Sequence, residues 1–337
     1  MHIDTFLGPN LDTAAASARS AEDAGYDAMW TAETSHDPFF PLALAAPGTS
    51  QITLGTSIAV AFSRNPMLLA NIGYDLQHLS KGRFVMGLGS QIKPHITKRF
   101  SMEWSKPAAR MREMVLAMHA IWDCWQDGTK LDFRGDFYQH TLMTPMFSPG
   151  PNPHGKPPVF LAGVGPLMTE VAGEVCDGFF CHPFTTVEFL KDVTIPALEA
   201  GRAKSGRSAE GFEVCLPAFV VTGATEEAMA ASAATTRKQI AFYGSTPAYR
   251  TVLDHHGWGD MQTELNTLSK QGEWDTMTTL IDDDVLEAFA VVGEPSTVAA
   301  SLRSRYGSTV DRLSFNTLGE PDSDLFGPIV ADLKSNA

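Results

Sequence analysis

Residues 52–90 read ITLGTSIAVAFSRNP, then a helical stretch, then GRFVMGLGS. An apolar strand runs into a polar turn, a helix starts at Pro66, and a second apolar strand runs into a glycine-rich turn. Strand, helix and strand in such close succession predict a parallel crossover unit, because parallel neighbours need a long connection and antiparallel ones do not. Small and polar residues follow each strand: Ser57 to Arg64 after the first, Ser90 and Gln91 after the second. In parallel α/β folds ligands bind at that carboxyl edge. The stretch thus constrains the architecture and marks a candidate ligand rim.

The same alternation covers the chain. Strands are expected at residues 2–7, 26–32, 52–60, 84–88, 159–162, 178–181, 212–222 and 312–316. Helices are expected at 11–24, 39–46, 67–79, 108–125, 167–174, 187–204, 226–241 and 296–306, with a hairpin at 130–141. Helix 108–125 carries Met111, Met114, Val115, Met118, Ile121, Trp122 and Trp125 on one face, a stripe expected to pack as core. Residues 148–158 hold five prolines and two glycines and form an extended connection. Residues 242–289, with HHGWGD and the acidic run Asp282 to Asp284, read as a helical insertion. The expected fold class is α/β, a (β/α)8 TIM barrel spanning 1–337 as one domain, a size such barrels often reach.

The net charge is −14, from 39 acidic against 25 basic residues, which argues against nucleic acid or an anionic membrane as partner. No apolar run approaches the ~20 residues of a membrane span, and the first residues lack a secretory pattern. Cys124, Cys176, Cys181 and Cys215 show no regular spacing, so reduced, buried, cytoplasmic thiols are expected, with no metal site. There is no HExxH, no GxSxG elbow and no GxxxxGK[ST] loop. Gly87-Leu-Gly89 and Gly163-Val-Gly165 both lack the third glycine of a dinucleotide fingerprint.

Four clusters fall at expected strand ends. Glu33 to Asp37 includes a carboxylate and an imidazole, Glu33 and His36, suited to general acid and base work; Asp37 before Pro38 also fits a helix cap. Ser57 to Arg64 offers small residues that let a flat ring approach the backbone, or that simply fill a barrel, with Arg64 and Asn65 as loop or cap residues. Ser90 and Gln91 are followed by Lys93 and His95. Ala162, Gly163, Val164 and Gly165 precede a helix, where free N–H groups and the helix dipole favour a phosphate; a plain tight turn fits as well. Phe62, Trp104 and Trp258 are candidate apolar lining.

In order along the chain, AEDAGYDAMWTAE (21–33), LGTSIAVAFSRNP (54–66), GRFVMGLGS (82–90), VFLAGVGP (159–166) and CDGFF (176–180) resemble the luciferase-like monooxygenase superfamily of flavin- and deazaflavin-dependent (β/α)8 barrels. Within it the chain looks most like the oxidoreductases that use coenzyme F420. That resemblance implies a bulge with a cis peptide at Ser57-Ile58 against the deazaflavin, Ser90 and Gln91 as neighbours of the ring, and the turn Ala162–Gly163–Val164–Gly165 as the phosphate seat. Two positions depart from the pattern. Glu33-Thr34 stands where several F420 enzymes have Asp-His, with His36 two residues later, and Gln91 stands where the sugar-phosphate dehydrogenases often have glutamate.

The resemblance implies hydride transfer between the deazaflavin C5 and a small organic substrate, with His36 or Glu33 exchanging the proton and Gln91 orienting polar groups. The alternatives are an FMN-dependent monooxygenase served by a separate reductase and a non-catalytic flavin- or deazaflavin-binding protein. A homodimer is expected.

Overall fold

The computed structural model describes residues 1–316 and 323–335. Twelve strands are described: β1 (His2–Phe6), β2 (Ala28–Thr31), β3 (Thr53–Thr56), β4 (Ala59–Val60), β5 (Phe84–Gly89), β6 (Phe133–Arg134), β7 (Gln139–His140), β8 (Val159–Ala162), β9 (Gly178–Phe180), β10 (Glu213–Val221), β11 (Ala290–Val292) and β12 (Arg312–Phe315). Between and after them run α1 (Ala14–Asp23), α2 (Phe39–Ala45), α3 (Pro66–Leu79), α4 (Pro107–Asp127), α5 (Pro166–Val175), α6 (Val187–Phe189), α7 (Ile195–Ser205), α8 (Glu226–Gly244), α9 (Arg250–His255), α10 (Gly259–Gln271), α11 (Trp274–Thr279), α12 (Asp283–Phe289), α13 (Pro295–Tyr306) and α14 (Ser323–Ser335). These residues form two compact units, one of Asp4–Phe180 with Ala197–Glu213, the other of Met1–Ile3, Cys181–Pro196 and the chain from Val214 onward.

In the first unit the strands run in the order β1-β2-β3-β5-β8-β9, every pair parallel. Proline and glycine punctuate the alternation. Asn65 caps α3 by accepting from the Leu68 N–H at 3.0 Å, with Pro66 in the first helical position. The stripe of α4 is core: Met111, Met114, Val115, Met118, Ile121 and Trp122 are fully buried, and Trp125 nearly so. Gly173 and Gly201 let α5 and α7 meet closely, since a Cβ on Gly173 would lie 2.1 Å from the Leu198 carbonyl oxygen. Phe62 is fully buried against the half-buried Trp104, edge to face at 5.8 Å, with the Arg110 guanidinium over its ring, so Phe62 packs inside the unit.

In the second unit β10 pairs in parallel with β12 through Cys215 to Ala218 and with β11 through Phe219 to Val221. Its core joins Phe184, Phe219, Val221, Ile240, Val252, Leu265 and Phe289. Segment 242–289 is helical, contributing the end of α8 and all of α9 to α12. Trp258 stacks on His256 at 4.6 Å and packs near Phe289.

The eight parallel strands β1, β2, β3, β5, β8, β9, β10 and β12 belong to the expected α/β, (β/α)8 class. Four local features differ from the sequence reading. The strand expected at 52–60 is broken between β3 and β4. That break is followed in the next section; the others are β11 and α14, which were not anticipated, and a single wide helical turn at His95–Arg99 in place of a plain loop. All four cysteines are buried and unbridged. Among the described residues no helix is long and apolar enough to cross a membrane.

Candidate active site

The break in the third strand is a one-residue bulge. Gly55 stands opposite Val85, but Ala59 stands opposite Leu88, so four steps along one strand match three along the other. The Ser57-Ile58 peptide within it is cis, at the position the resemblance implied. Where the backbone ladder lapses, the Thr56 hydroxyl takes over. It donates to the Gly87 carbonyl at 2.6 Å and accepts from the Gly87 N–H at 3.0 Å. Only glycine fits opposite, because a Cβ on Gly87 would lie 1.6 Å from the Thr56 carbonyl oxygen.

Glu33 anchors the bulge from the neighbouring strand end. Its N–H donates to the Ile58 carbonyl at 3.1 Å, and its carboxylate accepts from the Val60 N–H at 2.7 Å. The same carboxylate oxygen pairs with Arg64 Nη1 at 2.6 Å. Arg64 continues to the Val60 carbonyl and, through Nη2, to Asp37 at 2.9 Å. Asp37 caps the turn into α2 by accepting from the Phe39 N–H. Glu33 is 9 % exposed, so this is a buried, charge-assisted brace and not a free carboxylate. His36, two residues beyond Thr34, is exposed and makes no hydrogen bond among the described residues.

The Ile58 side chain rests on the end of β5. A Cβ on Gly89 would lie 2.8 Å from Ile58 Cγ1. Ser90 and Gln91 follow, half-buried; Gln91 has φ +58°, and its amide oxygen accepts from the Ile92 N–H. The Arg99 guanidinium donates to the Thr34 carbonyl, tying the loop after β5 to the loop after β2. His95 is exposed at the start of the wide turn.

The register Leu88 to Leu161 puts Ala162 level with Gly89 on the adjacent strand, so the turn of Gly163, Val164 and Gly165 opens beside Ser90. Gly165 precedes α5, and its carbonyl takes the N–H groups of Met168 and Thr169. The N–H groups of Val164, Gly165 and Leu167 make no hydrogen bond among the described residues. Nothing lies within 4 Å of the place a Cβ on Gly165 would take. The fold therefore brings Glu33, Ser57, Ile58, Ser90, Gln91 and Ala162 to Gly165 onto one edge of the first unit.

Sequence reasoning missed the Glu33–Arg64–Asp37 chain as a unit, because its members lie on different strand ends. It also missed a polar cluster in the second unit. His182, just past β9, stacks on Tyr249 at 4.4 Å and meets Tyr243 edge to face at 4.7 Å. Burial pushes the His182 imidazole down to about 4, so the ring is neutral. Its place after a barrel strand was the only available signal.

The sequence profile of the luciferase-like monooxygenase family matches residues 3–312. An uncharacterized protein of Mycobacterium tuberculosis is 56 % identical over 313 residues, 93 % of this chain and 92 % of the relative. An F420-dependent glucose-6-phosphate dehydrogenase of Nocardia farcinica is 32 % identical over 208 residues, 57 % of this chain and 60 % of that enzyme. The solved coenzyme F420 dependent tetrahydromethanopterin reductase from Methanopyrus kandleri superposes with a TM-score of 0.79, covering 99 % of this chain and 98 % of that one at 20 % identity. That likeness shows the fold, a luciferase-like (β/α)8 barrel.

Proposed function

The chain belongs to the luciferase-like monooxygenase family, and from that premise we propose that it is a coenzyme F420-dependent oxidoreductase acting on a small organic substrate. The observation that carries the reading is the braced bulge at Ser57-Ile58, seated on Gly89 and opening beside the turn Gly163 to Gly165. The F420 dependence of the Nocardia relative supports it.

The residues suit such a cofactor. Ser57 and Ser90 offer short side chains, with Ile58 folded onto Gly89 between the strand ends, so a flat ring fits beside the bulge. The turn Ala162, Gly163, Val164 and Gly165 leads into a helix start where the Val164, Gly165 and Leu167 N–H groups are unspent among the described residues, which suits a phosphate without a lysine. When bound, the deazaflavin supplies a hydride donor or acceptor at C5. His36, exposed and unengaged, exchanges the proton with substrate or solvent. Glu33 positions the bulge through Val60 and Ile58, and Gln91 orients polar groups from the loop after β5. The reading includes a homodimeric state and a cytoplasmic setting.

Anaerobic titration of the purified protein with F420 and with FMN, followed by absorbance, tests this. F420 binding followed by reduction or oxidation with a carbonyl, enone or alcohol is the expected result. Tight FMN binding with no F420 response overturns it in favour of an FMN-dependent monooxygenase. Binding without turnover across the panel overturns it in favour of a binding protein.

A further inference from the structure

In the second unit, the turn after β9 and the start of α9 assemble a polar group that the proposed cofactor site does not use. Phe184 N–H donates to His182 Nδ1 at 3.1 Å. A neutral imidazole that accepts at Nδ1 carries its proton on Nε2. The contact of His182 Nε2 with Tyr249 Oη, at 3.1 Å, therefore has histidine donating and tyrosine accepting. Tyr249 keeps its own hydroxyl proton, and that proton has no acceptor among the described residues.

Two further hydroxyls follow the ends of β9 and β10 in the same unit. Thr185, in the turn that carries His182, is 6 % exposed, and Thr222, directly after β10, is 4 % exposed; neither hydroxyl has a hydrogen-bond partner among the described residues. Phe219 and Val221 pack outward onto Ile240 and Ala241 of α8, so the alternation of the strand turns Thr222 to the inner side. A buried hydroxyl left unpaired carries its full desolvation cost, so such groups call for a partner.

The walls are aromatic and uncharged. Tyr243 and Phe184 flank Tyr249, with ring centroids 6.1 and 5.8 Å away. The adjacent cation, Arg250, is turned to Asp254, Gln262 and Thr263. We infer that this cluster is a substrate-binding site for an uncharged carbonyl oxygen on an aromatic or flat apolar body, with Tyr249 the hydrogen-bond donor and His182 the residue that positions it. A carboxylate is disfavoured by the same construction, since a buried anion needs a paired charge that the cluster lacks among the described residues. The assignment of this ligand as substrate rests on the oxidoreductase reading above.

The test uses acetophenone and benzoate, one ring bearing either a neutral carbonyl or an anion, titrated calorimetrically into the full chain. Acetophenone binds and benzoate binds at least tenfold more weakly if the inference holds. Tyr249→Phe weakens acetophenone about three- to tenfold, the loss of one hydrogen bond. His182→Leu does the same, and His182→Gln, which keeps an N–H donor, restores affinity; a purely structural role would not separate the two. Unfolding midpoints by circular dichroism identify any variant that fails to fold, and the comparison of ligands on the wild-type chain stands without variants. Equal or tighter binding of benzoate, no binding of acetophenone, or unchanged affinity in Tyr249→Phe overturns the inference. F420 affinity, titrated separately, isolates the other reading: it stays unchanged in Tyr249→Phe, and its absence from the wild-type chain overturns the cofactor assignment alone.

Discussion

The rim around Glu33 and the cluster around His182 hold their side chains by opposite means. At the rim, a buried carboxylate is matched by a guanidinium and by backbone N–H groups, so charge is kept and compensated. Around His182 the titratable group is kept neutral by burial, and aromatic rings do the positioning. The contrast teaches what each region tolerates. A compensated charge fixes backbone position and fails badly when one partner goes; a neutral aromatic cluster yields gradually and responds to pH.

The sharpest way to break the first half of that contrast lies at the strand crossing that supports the rim. Gly87→Ala drives a Cβ into the Thr56 carbonyl and is expected to cost about 4 kcal/mol or more, near the limit of a folded protein. Soluble yield and urea unfolding measure it, and near-wild-type stability would show that the bulge shifts freely. Next comes Glu33→Ala, which strands the Arg64 charge and the Val60 N–H, at about 3–5 kcal/mol by urea unfolding. Asp37 remains to Arg64, so a loss under 1 kcal/mol would mean that Asp37 alone carries the pair.

The second half is sharpened by acid. His182 sits at about 4 in the folded chain against 6.5 in a model peptide. Between those values the unfolded state binds more protons, so stability falls as pH drops from 6.5 to 4 and levels off below. His182→Gln should remove about 2–3 kcal/mol of that fall, read as a flatter acid limb in urea midpoints against pH. An unchanged limb would place the acid sensitivity elsewhere, with His119, His140 and His256, all lowered by burial, as the remaining sources. The smallest effect belongs to Asp37→Asn. It keeps the cap acceptor for Phe39 and loses only a partly exposed ion pair, so ~0.5 kcal/mol and unchanged F420 affinity are expected by unfolding and titration.

The fold was legible where glycine and proline punctuate apolar runs, as at Gly25, Pro66 and Pro295. It was not legible at β11, whose three residues follow α12 with no turn between them, or at α14, where Pro328 interrupts a helical pattern. The bulge was invisible to periodicity because TSIAV reads as part of one apolar strand; only the resemblance marked Ser57-Ile58. Of the candidate site, the strand ends were readable and the partners were not. Arg64 is 31 residues from Glu33, and Tyr249 is 67 from His182. Residues that meet only through folding leave no mark in local spacing, so Glu33 read as a free acid–base group when its carboxylate is engaged.

The Thr56 hydroxyl has a dynamic consequence. The Gly87 amide proton is protected from solvent by a side chain and not by the strand beside it. A side chain can rotate while a strand stays paired, so this proton can exchange when the bulge loosens and its neighbours in β5 remain locked. Its exchange rate is a private clock for the bulge, running apart from that of the sheet.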